Sequence, residues 1–463
     1  MLYAILFILF RLPSLFEPYW YGDEGIYLAL GQGIRRGLLL FQQIHDNKPP
    51  TLYYLAAFSQ TVFGFRLLLL LLMVPTIYFF NRLAKKFLSP RQTTFSTFLF
   101  LILTSIPLIE GSIANAEVFM LLPTILAFLI FLNYKKSYLS FLVTGLLLGI
   151  AFTIKVPVAF EAVFLGLWIL IFQKHKIKKL FLFSFAFILP IFLYLIYFAL
   201  KGALQPFLFA ALLQNFGYLS SWSTGTQQSS VASGGLIWRG LILSITWVVS
   251  FFLYHRRVIS KNLFFLSAWF FAALFGVLLS GRPYPHYLIQ ILPPLCLLLF
   301  YYSKARLWIS FILILFIASL FRYKFYFYPV FSYYSNFYTY ALGKKSLDSY
   351  RQYFGSEMPQ NYILANKIKS ITSPEDRIYV WGDQSYLYPL SDRLPSTKYI
   401  VAYHVVDFNA YDLTISQLKA ITPKLIIYYP QPSRPFPALD NLISDYYSLI
   451  DQIGPAYIFE LRQ

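Results

Sequence analysis

Apolar runs long enough to cross a bilayer recur through the first 321 residues of this chain. They stand at roughly 1–16, 65–81, 94–112, 117–133, 138–154, 156–172, 180–199, 236–254, 263–280, 287–302 and 307–321, about eleven in all. A spanning helix needs about 17–25 residues, fewer when its ends snorkel. Inside hydrocarbon every backbone N–H and C=O must be satisfied within the segment, and a helix does this. The expected fold class is therefore a polytopic α-helical membrane protein. Composition agrees, since only 12% of residues are charged, against about 25% in soluble domains. The run that begins at Met1 has no basic n-region and no small-residue cleavage site, so it is expected to stay as a helix. Thr51–Gly64 is apolar but short, and is expected to lie along the membrane interface.

The net charge of +19 would suit a nucleic-acid partner, but its distribution argues against one. Lys and Arg gather in short loops: Arg82 to Arg91, Lys135–Lys136, Lys174 to Lys179, Arg256 to Lys261, and Lys304 with Arg306. These loops alternate with basic-poor ones. The positive-inside rule places the rich set in the cytoplasm. This gives a multi-pass plasma (inner) membrane protein with a cytoplasmic N-terminus, its parity consistent only if Thr51–Gly64 does not cross. Residues 1–321 form the transmembrane domain, with a first outer loop at 17–64. Residues 322–463 form a small extracytoplasmic α/β domain, with a helix expected at Pro359–Ser370 and strands at Arg377–Trp381, Lys398–Val401, Lys424–Tyr428 and Ala456–Leu461. The outer loop 199–235 ends in a Ser/Thr/Gly/Gln run that reads as a lid or a flexible connector. The single cysteine, Cys296, excludes an intrachain disulfide.

One polar island lies between the first two apolar stretches: Tyr21–Pro50, YGDEGIYLALGQGIRRGLLLFQQIHDNKPP. Asp23 and Glu24 open a short amphipathic helix that ends near Gly37 with Arg35 and Arg36 in its last turn, charges that suit the helix dipole. Lys48 precedes Pro49 and Pro50 and is pushed toward an extended backbone. A carboxylate pair and a fixed lysine close together at a membrane surface suit the handling of a phosphate. Simpler readings stand beside this one. Asp23 can serve as a helix N-cap, Lys48 can snorkel to headgroups, and His286 and Lys155 can be interface or anchoring residues. Glu161, inside a span, is either paired and functional or shallow and neutral.

The acidic Asp23–Glu24 pair in the first outer loop, followed by HDNKPP at His45–Pro50 and an apolar helix, resembles the polyprenyl-phosphate-sugar-dependent membrane glycosyltransferases. These are glycosyltransferase family 39 and the aminoarabinose-transferase-like group, of GT-C fold. NAE at Asn115–Glu117, TIKVP at Thr153–Pro157 and RPYPHYLIQILPP at Arg282–Pro294 are similar to outer-loop segments of that group, so the resemblance covers most of residues 1–300. It implies transfer of a sugar from a polyprenyl-phosphate-linked donor to an acceptor, whether lipid, glycan or protein, on the outer face of the membrane. Glu117 fills a position where an Asp is common, which leaves open whether a divalent cation takes part; the cofactor and the metal are unknown.

Such a reaction needs a base for the acceptor hydroxyl and positive charge for the departing phosphate. Asp23 and Glu24 are the catalytic candidates. Neighbours on a helix face different ways, so one carboxylate, Asp23, is expected in the site and the other in support. Lys48, Arg282 and His286 are the donor-phosphate candidates. Asp46, Asn115, Glu117, Lys155 and Tyr284 are supporting or metal candidates. A single displacement inverts the anomeric centre; retention needs a second carboxylate, for which Glu117 is the candidate. Two other readings are a transporter or flippase of lipid-linked sugars and an inactive GT-C-like scaffold. The lack of an evident internal repeat and the gathering of charge in outer loops argue against transport.

Overall fold

The computed structural model describes residues 2–134, 137–214, 231–302 and 304–462. Most of the Ser/Thr/Gly/Gln run of the 199–235 loop, and the basic pair Lys135–Lys136, lie outside the described residues. Among the described residues five helices are long and apolar enough to cross a membrane: Val62–Ala84, Ala116–Asn133, Lys176–Leu200, Gly235–His255 and Lys261–Leu278. Shorter apolar helices stand at Leu2–Phe16, Tyr138–Phe152, Val156–Phe172, Leu204–Leu213 and Pro285–Phe300. The protein is a polytopic, mostly helical membrane protein with a small C-terminal sheet. The chain divides into two compact units. One comprises Met1–Leu12, Leu68–Gly202 and Ala211–Val330; the other comprises Pro13–Leu67, Ala203–Ala210 and Phe331–Gln463.

In the first unit the apolar helices pack through aromatics and small residues. Phe128 and Trp269 stack at 3.9 Å between centroids. Gly145 and Gly149, one turn apart on the Tyr138–Phe152 helix, let Lys176–Leu200 approach to backbone contact. A Cβ at Gly145 would overlap the Phe183 carbonyl oxygen, and one at Gly149 that of Phe187. Small residues four apart are the usual means of close helix packing in lipid, where apolar burial alone gives no net drive. Arg11, at the end of the first helix, is fully buried. It donates to the carbonyls of Thr104 at 3.2 Å and Ser112 at 2.9 Å, and to that of Gly111.

The second unit contains the polar island and the C-terminal sheet. The helix Gly22–Arg35 forms where Asp23 and Glu24 were expected to open it, and all its residues from Glu24 to Gly33 are buried. The next helix, Thr51–Ser59, has Pro50 at its N-cap and stops at Gln60, whose left-handed φ of 66° separates it from Val62–Ala84. The sheet has the order β2-β1-β3-β5-β4, with β1 Arg377–Trp381, β2 Leu394–Pro395, β3 Leu425–Tyr428, β4 Tyr447–Ile453 and β5 Ala456–Leu461. β2, β1 and β3 run parallel; β3–β5 and β5–β4 are antiparallel. The central strands RIYVW and LIIY are branched or aromatic and almost wholly buried, as strands covered on both faces must be. Tyr379, Trp381, Ile426, Phe436 and Leu439 lie in that unit's core.

One expected strand is absent. At Lys398–Val401 the Lys398 carbonyl accepts from the His45 N–H at 3.1 Å, and its own N–H donates to Gln417 Oε1 at 3.0 Å. With both of its backbone groups engaged elsewhere, Lys398 joins no ladder, and the segment forms no strand. Sequence reading did not find two strands: β2, which is only two residues long, and β4, an edge strand whose side chains are mostly exposed. Such a segment lacks the apolar alternation by which strands are recognised.

Candidate active site

Asp23, Glu24, Asp46 and Lys48 all belong to the second unit, and the structure brings them into two adjoining networks. Asp23 lies in the first turn of the Gly22–Arg35 helix. The N-cap is Tyr21, and no side chain caps the helix, so Asp23 is not spent as a cap. Its Oδ2 accepts from Lys48 Nζ at 3.1 Å and from the Tyr27 hydroxyl at 3.0 Å. The Lys48 ammonium also lies 4.8 Å from the centroid of the Tyr27 ring and 3.8 Å from Asp46 Oδ2. Lys48 is held from behind as well, since its backbone N–H donates to the Tyr53 oxygen at 3.0 Å while the Tyr53 hydroxyl donates to Asp46 Oδ2 at 2.8 Å.

Asp46 is buried. Burial alone would raise its pKa, but the charge of Lys48, then that of His404, outweighs it and holds the carboxyl below its usual range. The Tyr53 hydroxyl is pushed up by burial and by Asp46. It therefore stays protonated as a donor. His404, on the helix Ala402–Asp407, places Nε2 3.7 Å from Asp46 Oδ1. Burial lowers its pKa, and the attraction of Asp46 only partly offsets this.

Glu24 faces the other way, as adjacent helical residues must. Arg66 Nε donates to its Oε1 at 2.9 Å, and Arg66 Nη1 meets Glu17 Oε2 at 2.8 Å and the Ser14 carbonyl at 2.8 Å. Glu17 also accepts from Trp20 Nε1 at 2.6 Å and from the Tyr333 hydroxyl at 2.5 Å. The side chain of Glu24 is 2% exposed, that of Asp23 30%. Only Asp23 of the pair is open to a reactant. The start of this helix is seated on the loop after β1: Ser385 Oγ donates to the Gly22 carbonyl at 3.2 Å, and a Cβ at Gly25 would come within 2.7 Å of Ser385 Oγ.

Asn115, Glu117, Lys155, Arg282, Tyr284 and His286 belong to the first unit, where the structure joins most of them. Lys155 Nζ pairs with Glu117 Oε1 at 2.7 Å and lies 5.0 Å from the Tyr287 ring. His286 Nδ1 is hydrogen-bonded to Glu110 Oε2, its Nε2 is 3.9 Å from Glu117 Oε1, and Tyr284 stacks on its ring at 5.7 Å. Asn115 Nδ2 donates to Glu110 at 3.4 Å. Arg282 is half-buried, and its N–H donates to Ser280 Oγ at 3.3 Å. Glu161 is buried and paired, accepting from Trp269 at 2.6 Å and Gln290 at 3.1 Å. Among the described residues no group of three or more His, Cys, Asp or Glu side chains is arranged to hold a metal ion.

Sequence reasoning missed Glu17, Arg66, Glu110, Tyr53 and His404. Arg66 and Glu17 sit at the ends of apolar runs, where such residues usually snorkel. Glu110 has a left-handed φ of 61°, which no sequence pattern announced.

Fold and geometry together define a multi-pass helical membrane protein in which a carboxylate in the first turn of a helix pairs with a lysine just before another, as in Asp23–Lys48 and Glu117–Lys155. Two solved structures of ArnT share its fold, of the GT-C type. ArnT from Cupriavidus metallidurans in the apo state aligns with a TM-score of 0.60 and 14% identity, covering 99% of this chain and 97% of that one. The same protein bound to undecaprenyl phosphate aligns with a TM-score of 0.57 and 12% identity over the same shares, 99% and 97%. The Archaeoglobus fulgidus oligosaccharyltransferase overlaps less, with a TM-score of 0.49 and 11% identity over 92% of this chain and 68% of that one. No family model and no curated protein sequence matches the chain. The resemblance read from the sequence is borne out at the level of the fold.

Proposed function

We propose that this protein is a membrane glycosyltransferase that moves a sugar from a polyprenyl-phosphate-linked donor to a lipid, glycan or protein acceptor on the outer face of the membrane. The observation that carries this reading is the Asp23–Lys48 pair at 3.1 Å, in the first polar loop of a chain with the ArnT fold. That the ArnT structure binds undecaprenyl phosphate supports a donor of this class. The donor's sugar–phosphate bond supplies the energy, so no nucleotide site is needed. Lys48 is the group that meets the phosphate. As it does so Asp23 loses its counter-charge, becomes more basic, and takes the proton of the acceptor hydroxyl. Tyr27 keeps the carboxylate aimed.

Arg282 and His286 are proposed as further positive partners of the phosphate, and Asp46, Asn115, Glu117, Lys155 and Tyr284 as supporting residues. One displacement at the anomeric carbon inverts it; Glu117 is the carboxylate a retaining route would use. Release of polyprenyl phosphate from a labelled donor tests the activity. Lys48→Ala is expected to raise the donor KM on the order of 10–100-fold, the worth of one charged hydrogen bond. An unchanged donor KM would take Lys48 out of donor binding.

The orientation belongs to the same reading, with about eleven spans, a cytoplasmic N-terminus and residues 322–463 outside. A cysteine introduced on an exposed face of the C-terminal sheet, such as Ser448→Cys, is expected to react with an impermeant thiol reagent in whole cells. The native Cys296 is fully buried and contributes no background. Protection of the new cysteine until the cells are lysed would reverse the topology.

A further inference from the structure

Resting on the reading that Lys48 holds the donor phosphate, we propose that His404 is a positioning residue that takes over Asp46 when the phosphate draws Lys48 away, so that donor binding takes up a proton. The charges explain why such a group is needed. Lys48 stands between two carboxylates, Asp23 at 3.1 Å and Asp46 at 3.8 Å. This arrangement keeps the lysine charged but surrounds it with one negative charge more than it can balance. An anionic donor engaging Lys48 leaves the buried Asp46 without its principal partner. A buried carboxylate in that position is costly unless another cation meets it.

His404 is the group placed to do so. Its Nε2 is 3.7 Å from Asp46 Oδ1, too far for a hydrogen bond to a neutral ring and near enough for a small shift to make one. Around it lie the rings of His45 at 5.9 Å, Tyr403 at 4.5 Å and Phe408 at 5.7 Å. The charged groups that act on it are Asp46, Asp407, Asp23 and Lys48. Of these the carboxylates favour the imidazolium and Lys48 opposes it. Withdrawing Lys48 toward a phosphate thus removes a cation that disfavours protonation and exposes the carboxylate that rewards it. In the free protein burial keeps His404 neutral near pH 7; in the bound state a proton from bulk water converts it to the imidazolium, paired with Asp46. The C-terminal unit thereby contributes a residue to the polar island of the first loop.

The test measures the affinity of farnesyl methyl phosphate, a diester whose own charge is constant in this range, for the full-length protein in nanodiscs between pH 5.5 and 8. The wild type is expected to bind more tightly as pH falls, by up to about tenfold per unit, the limit for one proton. Titrations in two buffers of different ionisation enthalpy should register the proton taken up. His404→Gln is expected to bind with a shallower pH profile than the wild type and to take up less proton. Should that variant fail to fold, Asp46→Asn, which removes the coupling carboxylate, serves the same comparison. A flat profile in the wild type, or a slope and proton uptake left unchanged by His404→Gln or Asp46→Asn, overturns the proposal. The reading beneath it fails separately: Lys48→Met that binds the diester as the wild type does would remove Lys48 from the phosphate. Lys48-dependent binding with a slope indifferent to His404 overturns this inference alone.

Discussion

Asp23→Asn is expected to give a folded protein whose sugar transfer is slower by a factor on the order of 10²–10⁴, the usual contribution of a general base. The substitution keeps the size of the side chain and an oxygen that can still accept from Lys48 and Tyr27. Helix capping does not enter, because the cap position is Tyr21 and no side chain caps there. What is lost is the charge, and with it the ability to take a proton. The measurement is release of polyprenyl phosphate from a labelled donor, on protein whose thermal melt matches the wild type. Glu24→Gln should be milder in turnover, since Glu24 is committed to Arg66. If the two variants rank in the opposite order, the base is Glu24; near-normal turnover in Asp23→Asn removes Asp23 from the mechanism.

Arg66→Met should be the most destabilising single change in the second unit. The guanidinium is fully buried and serves Glu17, Glu24 and the Ser14 carbonyl together. Removing it leaves two carboxylates in the interior without a cation. Breaking a buried pair by deleting one partner costs about 3–5 kcal/mol. A clear fall in the melting temperature in detergent is therefore expected, with loss of transfer following loss of fold. Arg66→Lys should recover only part of it, because an ammonium cannot fork between two carboxylates as a guanidinium does. A melt unchanged in Arg66→Met would show that the cluster does not hold the unit together.

Much of the architecture was legible from apolar length alone, because in lipid the backbone leaves the chain so few choices. The Gly22–Arg35 helix was legible too, from acid at its start and base at its end, and so was the divergence of Asp23 from Glu24, which follows from helical geometry. The partners were not. Arg66 reads as the edge of a long leucine run, and nothing near it in sequence announces Glu17 or Glu24. His404 sits in a tail without a motif, and its relevance depends on the fold bringing the Ala402–Asp407 helix to Asp46. The expected strand at Lys398–Val401 failed for the same reason: the segment has strand-like residues, but tertiary partners claimed its backbone. β4 went unseen because an exposed edge strand needs no apolar face.

The second unit is stitched from Pro13–Leu67, Ala203–Ala210 and Phe331–Gln463, segments separated in sequence by those of the first unit. Translation therefore delivers its segments far apart in time. The first segment emerges with Asp23, Lys48 and Asp46, but the hydroxyl of Ser385 that steadies the Gly22 carbonyl comes 363 residues after it, and the imidazole beside Asp46 later still. Until then the nascent polar island lacks the partners that the folded unit gives it. Threaded in this order, the chain sets its own timing: a polypeptide halted before residue 385 holds the Asp23–Lys48 pair without the contacts that seat it.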